Sequence, residues 1–206
     1  MRRATVLFAA LAASLAAIAC EQASLPEAPR APTAVGAKAA KTTSFTFTKV
    51  PATYATHAIT SPATGLETIA FSMVATQAEG IVVKQLGFMI SGSLQAGDVG
   101  NYQLVYYPDG LSKPGVVVGT NDGSTWVAPG GSPSSFIYID LATPITIPKG
   151  KSFTAYFALR ADVTGTGAFF FDPRVQTCLV NDGTGDTDVG ALGGDLPLQG
   201  DTYHVN

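Results

Sequence analysis

Residues 42–206 of this sequence predict an all-β fold, a sandwich of antiparallel strands. In several segments apolar and polar residues alternate with a period of two, which is the pattern of a strand with one buried face. Turn-forming residues separate these segments, and 22 glycines and 13 prolines leave little room for a helix. Strands at short, regular spacing that are joined by turns are typical of a β-sandwich.

The clearest alternation lies in Thr42–Val50, Glu67–Ala75 and Ser152–Asp162. In Ile81–Ser91 the apolar phase changes partway, and a β-bulge near Lys84 would reconcile the two halves. We expect seven to nine strands in all, the last of them near Thr202–Asn206 and completing the sandwich of its own chain. The alternative is that this strand completes the sandwich of a neighbouring chain. The residues expected in the core are Ile69, Phe71, Leu86, Phe88, Leu104, Phe157 and Leu159.

The first 20 residues have the composition of an export signal. A Met-Arg-Arg start precedes an apolar run, and small residues lead to Cys20. This segment resembles a bacterial lipobox, in which the cysteine is diacylated and becomes the mature N-terminus. The alternatives are cleavage by an ordinary signal peptidase after Ala19 and a segment that stays uncleaved as an anchor. We therefore expect a cleaved signal at residues 1–19 and a lipid on Cys20, which would anchor the protein to a membrane surface in the cell envelope.

Residues 20–41 are rich in alanine and proline and show no amphipathic period, which predicts a disordered tether. The whole chain has a net charge of −3, and only 13% of its residues are charged. Because no basic stripe is present to neutralise phosphates, the sequence excludes nucleic acid as a partner. If Cys20 is acylated, Cys178 has no partner within the chain for a disulfide, and we expect it to be a buried thiol. The alternatives are a disulfide to another chain and a reactive thiol.

Three stretches of the sandwich region resemble a known kind of module. Glu79–Phe88 and Gly97–Leu104 match its strand and small-loop stretch, and Ile145–Val163 matches its Ile-Pro to Leu-x-Ala-Asp stretch. The sequence is similar here to the immunoglobulin-like β-sandwiches of bacterial surface proteins, of the S-layer-associated and adhesin type. The resemblance implies an immunoglobulin-like fold and a role as a spacer, adhesin or assembly unit. The matching residues are core and turn positions, so it implies no catalytic residue.

The sequence shows no arrangement of residues that would support catalysis. Its two histidines, His57 and His204, lie near opposite ends of the domain. There is no Gly-x-Ser-x-Gly elbow and no glycine-rich phosphate loop between a strand and a helix. We therefore expect a protein that is not an enzyme and needs no cofactor.

Two patterns indicate weak binding sites. Asp182, Asp186 and Asp188 lie in a glycine-rich segment and offer oxygen ligands to Ca²⁺, although their spacing is not that of an EF-hand. The alternative is an acidic, solvated loop.

The second pattern is aromatic. Tyr106 and Tyr107 end a predicted strand, and Trp126 lies beside turn residues. Exposed on one surface, such rings would stack against sugars. The alternative for Trp126 is packing over one end of the sandwich.

Together these observations predict a non-enzymatic cell-surface lipoprotein that acts as an adhesion, scaffold or assembly module. The alternative is a small binding module for an extracellular glycan or calcium. Apart from the membrane, the expected partner is a surface protein or a glycan, with a second copy of the chain as a further candidate.

Overall fold

The fold is a two-sheet sandwich. The computed structural model of the protein describes residues 44–76, 80–122, 134–148, 153–181, 185–189 and 196–206. Within these ranges the chain forms twelve strands and no α-helix, which confirms the predicted immunoglobulin-like antiparallel β-sandwich. The predicted signal at residues 1–19, the tether at 20–41 and the domain boundary at residue 42 lie outside the described residues.

The first sheet has five strands in the order β1-β3-β8-β5-β6, and all neighbours are antiparallel. In β1 the expected alternation is present: Phe45 and Phe47 are buried, whereas Thr46 and Thr48 are exposed. The bounds are Ser44–Lys49 (β1), Ala63–Thr76 (β3), Val99–Tyr107 (β5), Val116–Asn121 (β6) and Phe153–Val163 (β8).

The second sheet follows the order β2-β12-β9-β4-β7, and two short strands, β10 and β11, also pair with β9. Only the pairing of β2 with β12 is parallel among the described strands. The twelve strands of the described residues exceed the predicted seven to nine, because strands of two to four residues are too short to show a periodic pattern. The bounds are Thr56–Ile59 (β2), Val82–Gly92 (β4), Ser134–Thr146 (β7), Phe169–Asn181 (β9), Asp186–Asp188 (β10), Leu198–Gln199 (β11) and Thr202–Val205 (β12).

The core lies between the two sheets and contains every residue predicted for it. The Phe71 ring of the first sheet lies 5.5 Å from the Phe157 ring in the same sheet and 6.4 Å from the Phe88 ring in the second sheet. Aromatic rings at these distances attract one another and bury a large apolar area. The seven predicted core residues are all buried: Ile69, Phe71, Leu86, Phe88, Leu104, Phe157 and Leu159.

The predicted bulge in β4 is confirmed. The ladder from β4 to β9 shifts register between Val83 and Gln85, so that Lys84 is the extra residue there. The ladder to β7 shifts at the same point, but there the unpaired residues are 141–144 of β7. Beyond the bulge Leu86 and Phe88 point into the core. Because successive residues of a strand alternate, Gly87 between them lies on the outer face of the second sheet.

The last strand completes the sandwich of its own chain, as predicted. β12 lies between β2 and β9 in the second sheet. Its residues Tyr203 and Val205 are buried, and the Tyr203 ring stacks on Phe171 of β9 at 5.0 Å. Just before β12, Leu198 and Gln199 form the short strand β11, which pairs with β9.

A buried ion pair fixes the start of this last strand. Lys49, only 4% exposed, lies 2.8 Å from the Asp201 carboxylate and donates hydrogen bonds to the carbonyl groups of Pro51 and Thr53. Asp201 also lies 2.8 Å from Nε2 of His57. The three donors of the ammonium group are therefore satisfied, as a buried charge requires.

Candidate interaction face

The outer face of the second sheet carries an aromatic and apolar patch. Ile137 and Ile139 of β7 point into the core, so their neighbours Phe136, Tyr138 and Asp140 point outwards. The registers of β4 and β9 place further outward residues beside them. We call this surface the β7–β4–β9 face, and it consists of Phe136, Tyr138, Asp140, Gln85, Gly87, Met89, Arg174, Thr177 and Leu179.

Gly87 makes the centre of this face flat. It pairs with Tyr138 on one side and Thr177 on the other. A Cβ atom at Gly87 would lie 2.3 Å from the Thr177 hydroxyl oxygen and 3.0 Å from Cε1 of Tyr138. The tyrosine ring therefore lies across the glycine, yet it stays 48% exposed. An exposed ring on a flat sheet surface offers a large apolar contact area.

Arg174 is the cation of the face. Its Cα partners are Met89 in β4 and Gln199 in β11, and its side chain is half-buried. The Nε atom is buried and has no hydrogen-bond partner among the described residues. In the same part of the chain Arg174 forms no ion pair. A buried donor of a charged group that stays unsatisfied costs free energy.

The other end of the face is acidic. Asp140 is exposed and accepts a hydrogen bond at Oδ1 from the Gln85 side chain, at 2.8 Å. Lys84, the bulge residue, does not neutralise it, because the lysine pairs with Asp186 at 2.9 Å. The face is therefore apolar in the middle, with a cation near one end and an anion near the other.

The predicted aromatic platform is not formed by Tyr106 and Tyr107. As consecutive residues of β5 they point to opposite faces of the first sheet. Tyr106 packs against Phe157, with ring centroids 5.4 Å apart. Tyr107 is only 5% exposed, because Gly115 folds back over it.

The hydroxyl of Tyr107 is also engaged within the chain. It donates to Glu67 at 3.0 Å and accepts from Arg160 at 2.9 Å. Trp126, the third residue of the predicted platform, lies outside the described residues. The alternation of Ile137 and Ile139 in the sequence indicates that Tyr138 between them points outwards. No pattern in the sequence marked Tyr138 as part of a site.

The acidic segment predicted to bind calcium is described only in part. Asp186 accepts hydrogen bonds from Asn181 and Lys84, which together hold the pKa of its carboxyl below the usual value. Asp188 belongs to the same short strand, β10, and Asp182 lies outside the described residues. Among the residues that are described, no group of three or more acidic, histidine or cysteine side chains is arranged to hold a metal. Calcium binding therefore stays a prediction.

The cysteine and the histidines occupy separate surroundings. Cys178 is buried in the core as predicted, and burial, with a smaller effect of Asp188, raises the pKa of its thiol to about 12. His57 packs on Tyr203, whereas the exposed His204 lies 5.9 Å from the ring of Phe170. The predicted lipidation site, Cys20, lies outside the described residues. Within the described ranges no helix has both the length and the apolar character needed to cross a membrane.

Comparison with known proteins gives likenesses of shape only. No family model matches the sequence, and no curated protein matches it. Among solved structures, the chain is similar to the seventh type I cohesin of ScaB from Pseudobacteroides cellulosolvens, with 9% identity and a TM-score of 0.31 over 79% of this chain and 92% of that chain.

Two further solved structures show the same level of similarity. The collagen-binding subdomain of the Enterococcus faecalis surface protein ACE is 8% identical, with a TM-score of 0.26 over 78% of this chain and 95% of that chain. A family 123 glycoside hydrolase from Clostridium perfringens is 10% identical, with a TM-score of 0.26 over 73% of this chain and 23% of that chain. At these identities and TM-scores the likenesses carry no argument about what this chain binds or catalyses.

Proposed function

We propose that the protein is a non-enzymatic, lipid-anchored module of the cell surface, and that it acts in adhesion, scaffolding or assembly by binding a macromolecule through the β7–β4–β9 face. The composition of this face carries the proposal. Tyr138, Phe136, Met89 and Arg174 are of the residue types that are enriched at protein interfaces and supply most of their binding energy. The single observation behind it is an exposed tyrosine that shares this face with an arginine, two strands away, that has no ion-pair partner in the described part of the chain.

The chemistry of the face suits docking. Two aromatic rings, a thioether and a glycine offer apolar contact area and shape, and none of them transfers protons at neutral pH. Sheet strands also hold these side chains in fixed positions, so binding requires little ordering of the face. A rigid apolar surface with charges at its ends favours recognition of a protein surface.

Photocrosslinking in cells tests the docking face. A photoreactive phenylalanine analogue replaces Tyr138 in the full-length protein, and a control carries it at Gln103, an exposed position of the other sheet. We expect a discrete adduct from position 138 and none from position 103. Equal adducts from both positions, or none from either, would contradict the proposed docking face.

The membrane anchor is tested separately. Cys20→Ser removes the only atom that a lipid would modify in the proposed signal, and we expect the protein to move from the detergent phase to the aqueous phase on partitioning. Cys178→Ser is the matched control, because the buried thiol plays no part in anchoring. Unchanged partitioning of the Cys20 variant would refute the anchor and leave the docking face untouched.

A further inference from the structure

The β7–β4–β9 face has a charge pattern that is complementary to itself. Arg174 lies in β9, the neighbour of β4 on one side, and two residue pairs from Gly87 along the β4–β9 ladder. Asp140 lies in β7, the neighbour of β4 on the other side, and two residue pairs from Gly87 in the opposite direction along the strands. With strands about 4.8 Å apart and about 3.4 Å between residues, each charged residue lies about 8 Å from the glycine. The cation and the anion are therefore placed symmetrically about the flat centre of the face.

We infer that a second copy of this chain binds this face to form a two-fold symmetric dimer, an inference that rests on the proposed function. The symmetry axis lies in the plane of the face, passes over Gly87 and is perpendicular to the line from Arg174 to Asp140. Rotation about this axis brings Arg174 of each copy to Asp140 of the other, so that two identical ion pairs form.

The same rotation matches the apolar residues. It places Tyr138 of each copy beside Met89 of the other. A methionine sulfur against a tyrosine ring is a favourable contact. Because Gly87 has no side chain, the two sheets can approach closely at the axis.

The dimer supplies what Arg174 lacks within one chain. Its side chain is half-buried and forms no ion pair with the described residues, and a carboxylate is the strongest acceptor for a guanidinium group. Asp140 is able to accept, because Gln85 occupies only Oδ1 and a carboxylate accepts about four hydrogen bonds.

The size of the face indicates a weak dimer. Three neighbouring strands and about five residues along each of them span roughly 14 Å by 17 Å, or roughly 240 Å² per copy. The total of roughly 480 Å² is below the usual range for stable specific interfaces. Two copies held on one membrane by lipid anchors would meet at a high effective concentration, which favours a dimer of this size.

Reciprocal charge reversal tests the dimer. Full-length protein carries the photoreactive residue at position 138, and two differently tagged copies are expressed together. Arg174→Asp or Asp140→Arg in both copies places like charges opposite each other, and we expect the crosslink between tags to fall at least about tenfold. When one copy carries Arg174→Asp and the other carries Asp140→Arg, both pairs are again attractive, and we expect the crosslink to return to near the wild-type yield.

The controls separate this inference from the proposed function. Lys113→Asp reverses an exposed charge outside the face, and we expect it to leave the crosslink unchanged. An adduct from position 138 to a different protein only, with no crosslink between tags, overturns the dimer and leaves the proposed function standing.

Further outcomes of the crosslinking experiment would overturn the dimer. Undiminished crosslinks in the single reversals, or no recovery in the mixture, overturn the dimer. Thermal melts identify a variant that fails to fold, and for such a variant Arg174→Met replaces the reversal, with a reduced crosslink expected. No adduct at all overturns both the dimer and the proposed docking face.

Discussion

The two outer faces of the sandwich are completed in different ways. On the five-stranded sheet, Gly115 folds over Tyr107, and the tyrosine hydroxyl joins Glu67 to Arg160. On the β7–β4–β9 face, Tyr138 is 48% exposed, and Arg174 has no ion-pair partner in the described part of the chain. On the first face the chain itself therefore covers the Tyr107 ring and satisfies its hydroxyl, although Val116 and Val117 at its β6 edge are exposed.

This contrast indicates which outer face of the sandwich is available for binding. An outer sheet face that the chain covers itself contributes to stability. A face that leaves an aromatic ring and a charge open contributes less to stability and is available for binding. Substitutions on the first face should therefore lower stability, and substitutions on the second should lower association.

The largest loss of stability should come from deleting the last strand, β12, because it helps to close the sandwich that carries both faces. Deleting residues 202–206 removes Tyr203 and Val205 from the core and leaves β2 without its neighbour. Burial of two such side chains contributes roughly 3–6 kcal/mol of a total that is typically about 5–15 kcal/mol, so we expect the cooperative thermal transition to disappear. Deletion of Asn206 alone, which is exposed, should cost no more than about 1 kcal/mol. A truncated chain with the melting temperature of the full chain would show that the strand is dispensable.

The two tyrosines provide the direct contrast between the faces. Tyr107→Ala removes a covered ring and the link between Glu67 and Arg160, and we expect a loss of about 3 kcal/mol or more in urea unfolding. Tyr138→Ala removes a half-exposed ring and should cost about 1 kcal/mol or less. The crosslink between copies, monitored from position 136, should be lost only in the Tyr138 variant. The comparison fails if the two variants lose equal stability.

Two glycines sharpen the same contrast. A Cβ at Gly115 would lie 2.4 Å from Cγ1 of Val105 and 2.7 Å from Cε1 of Tyr107. Because these atoms are buried beneath the turn, we expect Gly115→Ala to cost about 1–3 kcal/mol in thermal or urea unfolding. In Gly87→Ala the contacts are the Thr177 hydroxyl and the Tyr138 ring, which have room to move outwards, so we expect a smaller loss of stability and weaker association. A larger loss for the Gly87 variant would contradict the open character of its face.

The smallest predicted effect is the dependence of stability on acidic pH that Asp201 causes, at a position away from both faces. Partial burial alone would raise the pKa of Asp201, but hydrogen bonds from Lys49, His57 and the Ala55 amide, with the lysine charge, outweigh it and lower the pKa below 3.8. A carboxyl group with a lowered pKa stabilises the fold above about pH 4, and this contribution is lost as the pH falls through the lowered pKa. Unfolding free energies of wild type and Asp201→Asn should therefore converge as the pH drops below about 4. A constant difference from pH 7 to pH 2 would exclude the ionised Asp201 as the cause.

Much of the fold follows from local pattern, because a strand with one buried face alternates in sequence. Ile69 and Phe71 in β3 are recognisable in this way, and so is the bulge at Lys84, where the apolar phase changes. Strands such as β11 were not predictable in number or bounds, because two residues show no period. They exist because β9 offers an unpaired edge, which is a long-range property.

The site was harder to predict because exposure depends on what covers a strand. Tyr107 and Tyr138 each lie in a strand of alternating pattern, and nothing local distinguishes them. Gly115, which is eight positions beyond Tyr107, decides that one ring is covered. The symmetry of Arg174 and Asp140 about Gly87 depends on the register of three strands. The sequence alone does not give this register, so the symmetry could not be predicted from it.

The parallel pairing of β2 with β12 sets an order in time for folding. The amide of Ala55 donates to Asp201 across a separation of 146 residues, and Thr56 pairs with Thr202 just beyond. Contacts between residues so far apart form late, because the intervening chain loses its freedom before they add stability. We therefore expect Lys49 to reach its carboxylate only after the other strands have assembled. We expect this corner to be the last part of the sandwich to close and the place where unfolding starts.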